Sequence, residues 1–271
     1  NILNIVLDLW VVMGLHMNVQ GAALATVIAE YATLLIGLMM VRKVLHMRGI
    51  SPAMLKLAWR GNFRRLLALN RDIMLRSLLL QLCFGAITVL GARLGGDIIA
   101  VNAVLMTLLT FTAYALDGFA YAVEAHSGQA YGARDGSQLL DVWRAACRQS
   151  GIVAILFSLV YALFGEQIVA LLTSLPQIQL LADRYLFWQV VLPLVGVWCY
   201  LLDGMFIGAT RAAEMRNSMA VAAAGFALTL LALPLLGNHG LWLALTVFLA
   251  LRGLSLAFIW RRHWRNGTWF A

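Results

Sequence analysis

Residues 4–30 read NIVLDLWVVMGLHMNVQGAALATVIAE. Two apolar runs flank the short break Gly14-Leu15-His16, and the first run carries an amide and a carboxyl, Asn4 and Asp8, four residues apart. That spacing is one helical turn, so both side chains share a face. Working outward, apolar runs of about 18 residues or more recur along the chain, each long enough to cross a hydrocarbon core of about 30 Å as a helix. The 271 residues are 12% charged and 62% hydrophobic, where a soluble domain is about one-quarter charged. Only helices and closed barrels satisfy their own backbone in lipid. The short alternating segments of a barrel do not occur in this sequence. The pattern therefore predicts an all-α polytopic membrane protein.

Apolar runs between polar breaks predict eight helices, over 1–15, 19–41, 66–92, 98–125, 149–172, 184–209, 215–236 and 241–260. The first is short and the chain opens on Asn, so the expectation is the C-terminal part of a longer protein with its first helix truncated. Of the twenty Lys and Arg, fifteen fall in 42–65, 126–148, 211–216 and 261–265, while the opposite breaks hold only Arg93 and Arg184. Such an imbalance predicts that the basic side, and with it the C-terminus, is cytoplasmic. It also accounts for the net charge of +8, so no nucleic-acid partner is expected. Within 42–65, Pro52, Met54, Leu55, Leu57 and Trp59 predict an amphipathic helix lying on the inner membrane surface. That connector divides 1–41, two helices ending an N-terminal bundle, from a six-helix bundle over 66–260 and a cytoplasmic tail over 261–271. Four preceding helices would make the arrangement six plus six. VQGAALATV (19–27) and NHGLWLALTV (238–247) each open the last helix of a bundle, in keeping with the duplicated bundles of transporters.

Several stretches then resemble one family, the multidrug and toxic compound extrusion (MATE) transporters. Residues 4–30 resemble its fifth and sixth helices, with Asn-x-x-x-Asp before a Gly-Ala-Ala-x-Ala-Thr turn. IAVNAVLMTLLTFTAYALDGFAYAVEAHSGQAYGARD (99–135) resembles its eighth helix and the Gly-Gln-x-x-Gly-Ala loop, and LDGMFIGATRAAEMRNSM (202–219) its tenth helix and the loop after it. LNRDIMLRSLLLQ (69–81) adds a likeness to the bacterial DNA-damage-inducible subfamily. The resemblance covers the chain as helices five to twelve of a two-bundle MATE-like fold.

The polar residues inside the apolar runs are the candidate site. A carboxylate at membrane depth costs a few kcal/mol and must be neutral, paired or lining water, so Asp8 is either a proton acceptor or half of a structural interhelical hydrogen bond. Asn4 lies one turn away, and Thr26 in the facing helix is expected at similar depth. The resemblance implies that Asp8, Asn4 and Thr26 form the proton- and cation-responsive site of the N-terminal bundle. Glu30, four residues after Thr26, is either a second cavity carboxylate or a paired charge. In the second bundle Asp117, Glu124, Asp203, Arg76 and Arg252 are expected to pair with one another, since isolated charges are so unfavourable there. Such a network is either an internal lock or a second ion or substrate site. Some sodium-linked relatives carry acids and a Tyr in this bundle; here Cys199 stands four before Asp203 and Tyr200 is offset by one, so that site is not expected to carry over. Arg71 and Asp72 are expected to pair at the inner mouth. Gly204-x-x-x-Gly208 predicts close helix packing, and Pro193 a bend in its helix.

Cys83, Cys147 and Cys199 have no metal or disulfide spacing and read as reduced apolar residues. The five His form no ligand set, and no nucleotide loop or hydrolase motif appears. The expectation is a non-enzymatic monomer with no cofactor: a secondary exporter of small organic cations or amphiphiles, driven by an H+ or Na+ gradient, in the bacterial inner membrane, with lipid its only other partner. A flippase for lipid-linked precursors and a non-transporting interaction protein stand as alternatives.

Overall fold

The structure is a computed structural model and describes residues 1–14, 16, 18–50, 61, 63–231 and 233–271. Helix dominates, and no strand occurs among the described residues. The chain separates into two compact units, Asn1–Phe63 and Arg64–Ala271.

In the first unit, α1 (Ile2–Asp8) runs straight into a π-helical turn over Leu9–Gly14. The chain then reverses through His16 and Asn18, both at positive φ, and α2 spans Asn18–Met47. The buried positions of α2 are Gly21, Ala25 and Ala29. Their four-residue spacing makes a smooth stripe on which α1 and Val11 can approach closely. α2 runs six residues beyond the expected boundary at 41, because Arg42 and Lys43 end a hydrocarbon span without ending a helix. The surface helix expected around Pro52–Trp59 falls outside the described residues.

The second unit holds α3 (Phe63–Arg93), α4 (Gly96–Gly132), α5 (Gly136–Leu172), α6 (Pro176–Gly208), α7 (Ala212–Leu230), the single turn α8 (Leu233–Leu236) and α9 (Asn238–Asn266). Most are longer than the apolar runs that predicted them. The basic break expected over 126–148 is mostly helix, interrupted only between α4 and α5, where Asp135 caps α5 by accepting from the Gln138 amide at 3.1 Å. The run 215–236 is divided after α7, because Pro234 cannot donate to a carbonyl one turn back. Six described helices are long and apolar enough to cross a bilayer: α2 to α6 and α9. α7 falls short of that measure because it opens on Glu214, Arg216 and Asn217.

Helix pairs in this unit meet through small residues. A Cβ on Gly204 of α6 would stand 2.4 Å from the Ala120 carbonyl oxygen of α4, and one on Gly208 would stand 2.8 Å from that of Glu124. The expected Gly204/Gly208 seam is therefore a contact of backbone on backbone. Between α7 and α9, the Ser218 and Ser255 hydroxyls bond at 2.6 Å and Phe226 meets Phe248 edge to face. Pro193 lies buried inside α6; one turn before it, the Val190 carbonyl accepts a 2.6 Å hydrogen bond from the Ser158 hydroxyl of α5. At the start of α9, Asn238 and Asn102 of α4 exchange two hydrogen bonds of 2.8 and 3.0 Å, and the Trp242 indole donates to the same Asn102 oxygen.

The tail over 261–271 packs against the rest of the second unit. α9 continues to Asn266 and ends on Gly267, whose φ of +66° suits a glycine cap. Trp269 is then 1% exposed, set edge-on to Phe206 and covered by the Arg211 guanidinium, which donates to the Thr268 and Trp269 carbonyls.

Candidate functional site

The charged residues of the second unit converge from three helices. α6 delivers Asp203 next to its buried glycine seam, α3 delivers Arg76, and α9 delivers Arg252 between Leu249 and Leu256 of the core. One carboxylate oxygen of Asp203 accepts from both guanidinium groups, from Arg76 at 2.9 Å and from Arg252 in a very short contact. Asp203 and Arg252 are buried, so each offsets part of the other's desolvation cost and breaking either side strands a charge. The Arg252 guanidinium also lies 5.5 Å above the Phe248 ring, a contact that favours a desolvated cation.

These groups form one wall of a cavity of about 360 Å³ between α3, α4, α6 and α9. Asp117 and Glu124, two helical turns apart on α4, line it, with Tyr121, Tyr200, Phe84 and Met106 among the other walls. The expectation that all five charges pair with one another is corrected: Asp117 and Glu124 make no ion pair among the described residues. Both arginines are already committed to Asp203, and no third cation among the described residues lines the cavity. Arg71 and Asp72 are also only loosely paired, at 3.5 Å with Arg71 exposed; the stronger partner of the buried Asp72 is Arg216 of α7, at 2.5 Å. Thus α3 is fastened twice, through Asp72 and, one turn on, through Arg76.

In the first unit, Asn4 and Asp8 are half-buried, and each keeps one buried oxygen without a hydrogen-bond partner among the described residues. Thr26 does not complete a triad with them. It is exposed, and its hydroxyl donates to the Ala22 carbonyl of its own helix at 3.0 Å. Glu30 is exposed as well. The reason is register: the buried stripe is Gly21, Ala25 and Ala29, and residues 26 and 30 lie one position further round the helix.

One residue of the cavity and one that fastens α3 outside it have no clear sequence signal. Tyr200 stands three rather than four before Asp203, yet three residues also share a helix face, and it lines the cavity. Arg216 reads as one more basic loop residue until α7 places it against Asp72.

A largely apolar cavity with a few charged groups, set among apolar, membrane-length helices, is the build of a polytopic membrane protein. Residues 73–234 match the MatE family, and the chain belongs to that family. Over its whole length it is 90% identical to DNA damage-inducible protein F of Escherichia coli (strain K12), covering 59% of that protein. Protein DETOXIFICATION 44, chloroplastic, of Arabidopsis thaliana is 25% identical over 99% of the chain and 50% of its own length. The chain thus spans about half to three-fifths of these relatives. Among solved structures, a mutant form of the Vibrio cholerae MATE transporter VcmN superposes with a TM-score of 0.82 at 20% identity, over 99% of this chain and 61% of that one. The bent form of VcmN gives 0.79 at 21% identity, with the same coverage. At such identity these two show the fold alone.

Proposed function

We propose that the chain works as the C-terminal part of a secondary exporter, not an enzyme, that moves small organic cations or amphiphiles out of a bacterial cell across the inner membrane. The observation that carries this reading is the cavity of about 360 Å³ in which Asp117 and Glu124 line the wall unpaired beside Tyr121, Tyr200 and Phe84. Carboxylates attract a cationic head group, and aromatic and Met walls accept varied apolar bodies. A flippase for pyrophosphate-linked lipid would need free cations instead, and both cavity arginines are bound to Asp203.

Energy would come from cation entry, with the proton as coupling ion. Asp8 is the proposed acceptor and Asn4 its hydrogen-bonding neighbour; their unpartnered oxygens leave room for a proton to change the local bonding. Thr26 and Glu30, both exposed on α2, join the pair only when α2 rotates. A ligand or proton shifts an inward–outward equilibrium only through its differential affinity for the two states, and that difference is what couples the flows. The orientation that goes with this has 42–65, 126–148 and 261–271 on the cytoplasmic side, and the active form is proposed to be a monomer.

The test is uptake of a fluorescent organic cation into inverted vesicles bearing the chain joined to four N-terminal helices of its family, under imposed pH or Na+ gradients. Uptake driven by the pH gradient and lost in Asp8→Asn is expected. Equal uptake by Asp8→Asn between pH 6 and 8 would remove Asp8 from the mechanism. Failure of Asp117→Asn and Glu124→Gln to change the apparent affinity for the dye would remove the cavity.

A further inference from the structure

A second hollow shares no residue with the charged cavity. It is an open apolar groove of about 670 Å³ on the second unit, where α6 and α9 lie side by side next to the start of α5. Trp143, Trp198, Leu194, Leu254 and Trp260 wall it. Its floor is made of small residues, Ala250, Gly253 and Ala257 of α9, and Gly253 brings the helix close to the Cys199 backbone. At one end the groove stops at Arg261. The same Arg261 borders an adjoining hollow of about 350 Å³ lined by Phe258, Arg262, Arg265 and Asn266.

The two hollows differ sharply in chemistry and share that single residue. The groove is almost wholly apolar and the second hollow carries three guanidinium groups. Arg261, Arg262 and Arg265 are exposed and make no ion pair among the described residues. Glu214 is taken by Arg211 and His263, and Asp135 and Asp141 at the start of α5 form no ion pair with the three arginines among the described residues. Trp143, Trp260 and Trp264 stack in series beside the junction, the aromatic signature of a membrane–water interface. A methylene fills about the volume of a liquid water, ~30 Å³, so the groove holds roughly twenty of them, about one acyl chain.

We propose that this is a binding site for an anionic phospholipid, with one acyl chain along the α6–α9 groove and the head-group phosphate held by Arg261 and Arg265. Three uncompensated arginines at the mouth of an apolar slot complement a molecule that is anionic at one end and hydrocarbon at the other. A zwitterionic lipid satisfies the slot but not the net charge, and free phosphate satisfies the charge but not the slot.

The experiment is lipid retention by the purified protein, read by native mass spectrometry after exchange from mixed micelles holding phosphatidylglycerol and phosphatidylethanolamine with identical acyl chains. Retention of phosphatidylglycerol over phosphatidylethanolamine by on the order of tenfold or more is expected. Arg261→Gln combined with Arg265→Gln, both on the surface, is expected to abolish the preference. Ala257→Trp, which fills the groove, is expected to reduce retention of either lipid. As an independent readout, phosphatidylglycerol brominated on its acyl chains is expected to quench Trp198 more than the same brominated chains on phosphatidylethanolamine, by comparison with Trp198→Phe. Equal retention of the two lipids, an undiminished preference in the double arginine variant, or displacement of the lipid by excess inorganic phosphate would each overturn the proposal.

Discussion

Gly204→Ala adds one methyl group where α6 crosses α4. That carbon would lie 2.4 Å from the Ala120 carbonyl oxygen, 3.2 Å from its carbonyl carbon and 3.4 Å from its Cα. A carbon and a carbonyl oxygen come no closer than about 3.3 Å, so the two helices must part by about 1 Å at this point. The obstacle is backbone, so no rotamer change relieves it. Parting there also lifts Gly208 off Gly128, one turn along, and loosens the contact through which Asp203 is positioned. Overpacking of this kind costs about 1–3 kcal/mol, or on the order of 2–4 °C of melting temperature for each kcal/mol in a domain of this size. Gly118→Ala, on the same α4, supplies the matched control: nothing lies within 4 Å of the added carbon, and the change is expected to be neutral or to stabilise by up to about 1 kcal/mol. A thiol-reactive fluorophore that reports exposure of the buried Cys83 and Cys199 on heating in detergent measures both. An unshifted transition for Gly204→Ala, or an equal loss for Gly118→Ala, would refute the close seam.

Three further outcomes are expected. Asp203→Ala strands two guanidinium groups, one of them on the buried Arg252, and is expected to cost about 3–5 kcal/mol, with much of it recovered when Arg252→Met is added; a loss below about 1 kcal/mol in thermal or denaturant unfolding would mean that water already reaches the cluster. Asn102→Ala removes the acceptor shared by Asn238 and Trp242 and is expected to cost about 1–3 kcal/mol for each donor left unsatisfied, whereas Thr88→Ala, at an exposed hydroxyl, should cost little in the same unfolding measurement. For orientation, Ser174→Cys between α5 and α6 is expected to react with an impermeant maleimide added outside intact cells and Ser137→Cys at the start of α5 is not; the reverse pattern would invert the assigned topology.

Much of this architecture is legible in the sequence because lipid leaves so few options. Apolar length marks where the long helices run, though not that the run over 215–236 divides into α7 and α8, and the pair Gly204 and Gly208 announces a close crossing before any partner is known. Helix ends are less legible: hydropathy marks where hydrocarbon stops, and α5 begins thirteen residues ahead of the apolar run that predicted it, since Leu, Gln, Arg and Ala remain good helix formers in water. The grouping of Arg76, Asp203 and Arg252 follows from the cost of isolated charge alone. Which acids join the group does not follow, because the count of arginines actually reaching the cavity is set by tertiary placement. Thr26 lies off the buried stripe for a finer reason, a single step of about 100° round α2. The Asn102–Asn238 pair, 136 positions apart, has no local signal at all.

The walls of the charged cavity differ in how they can yield. α4 and α6 are sewn together backbone to backbone, and parting them unseats a glycine seam. α3, by contrast, has no extended close backbone packing with any other described helix of its unit; it is held at one end by the Asp72 and Arg76 pairs and near the other by Gly91 against the Asn102 amide. It resembles a bowstring tied at two points beside a rigid frame. An occupant larger than the cavity would displace α3: its middle, around Leu80 and Phe84, would bow outward at the expense of side-chain contacts alone, while the frame kept its shape and the ends stayed fastened.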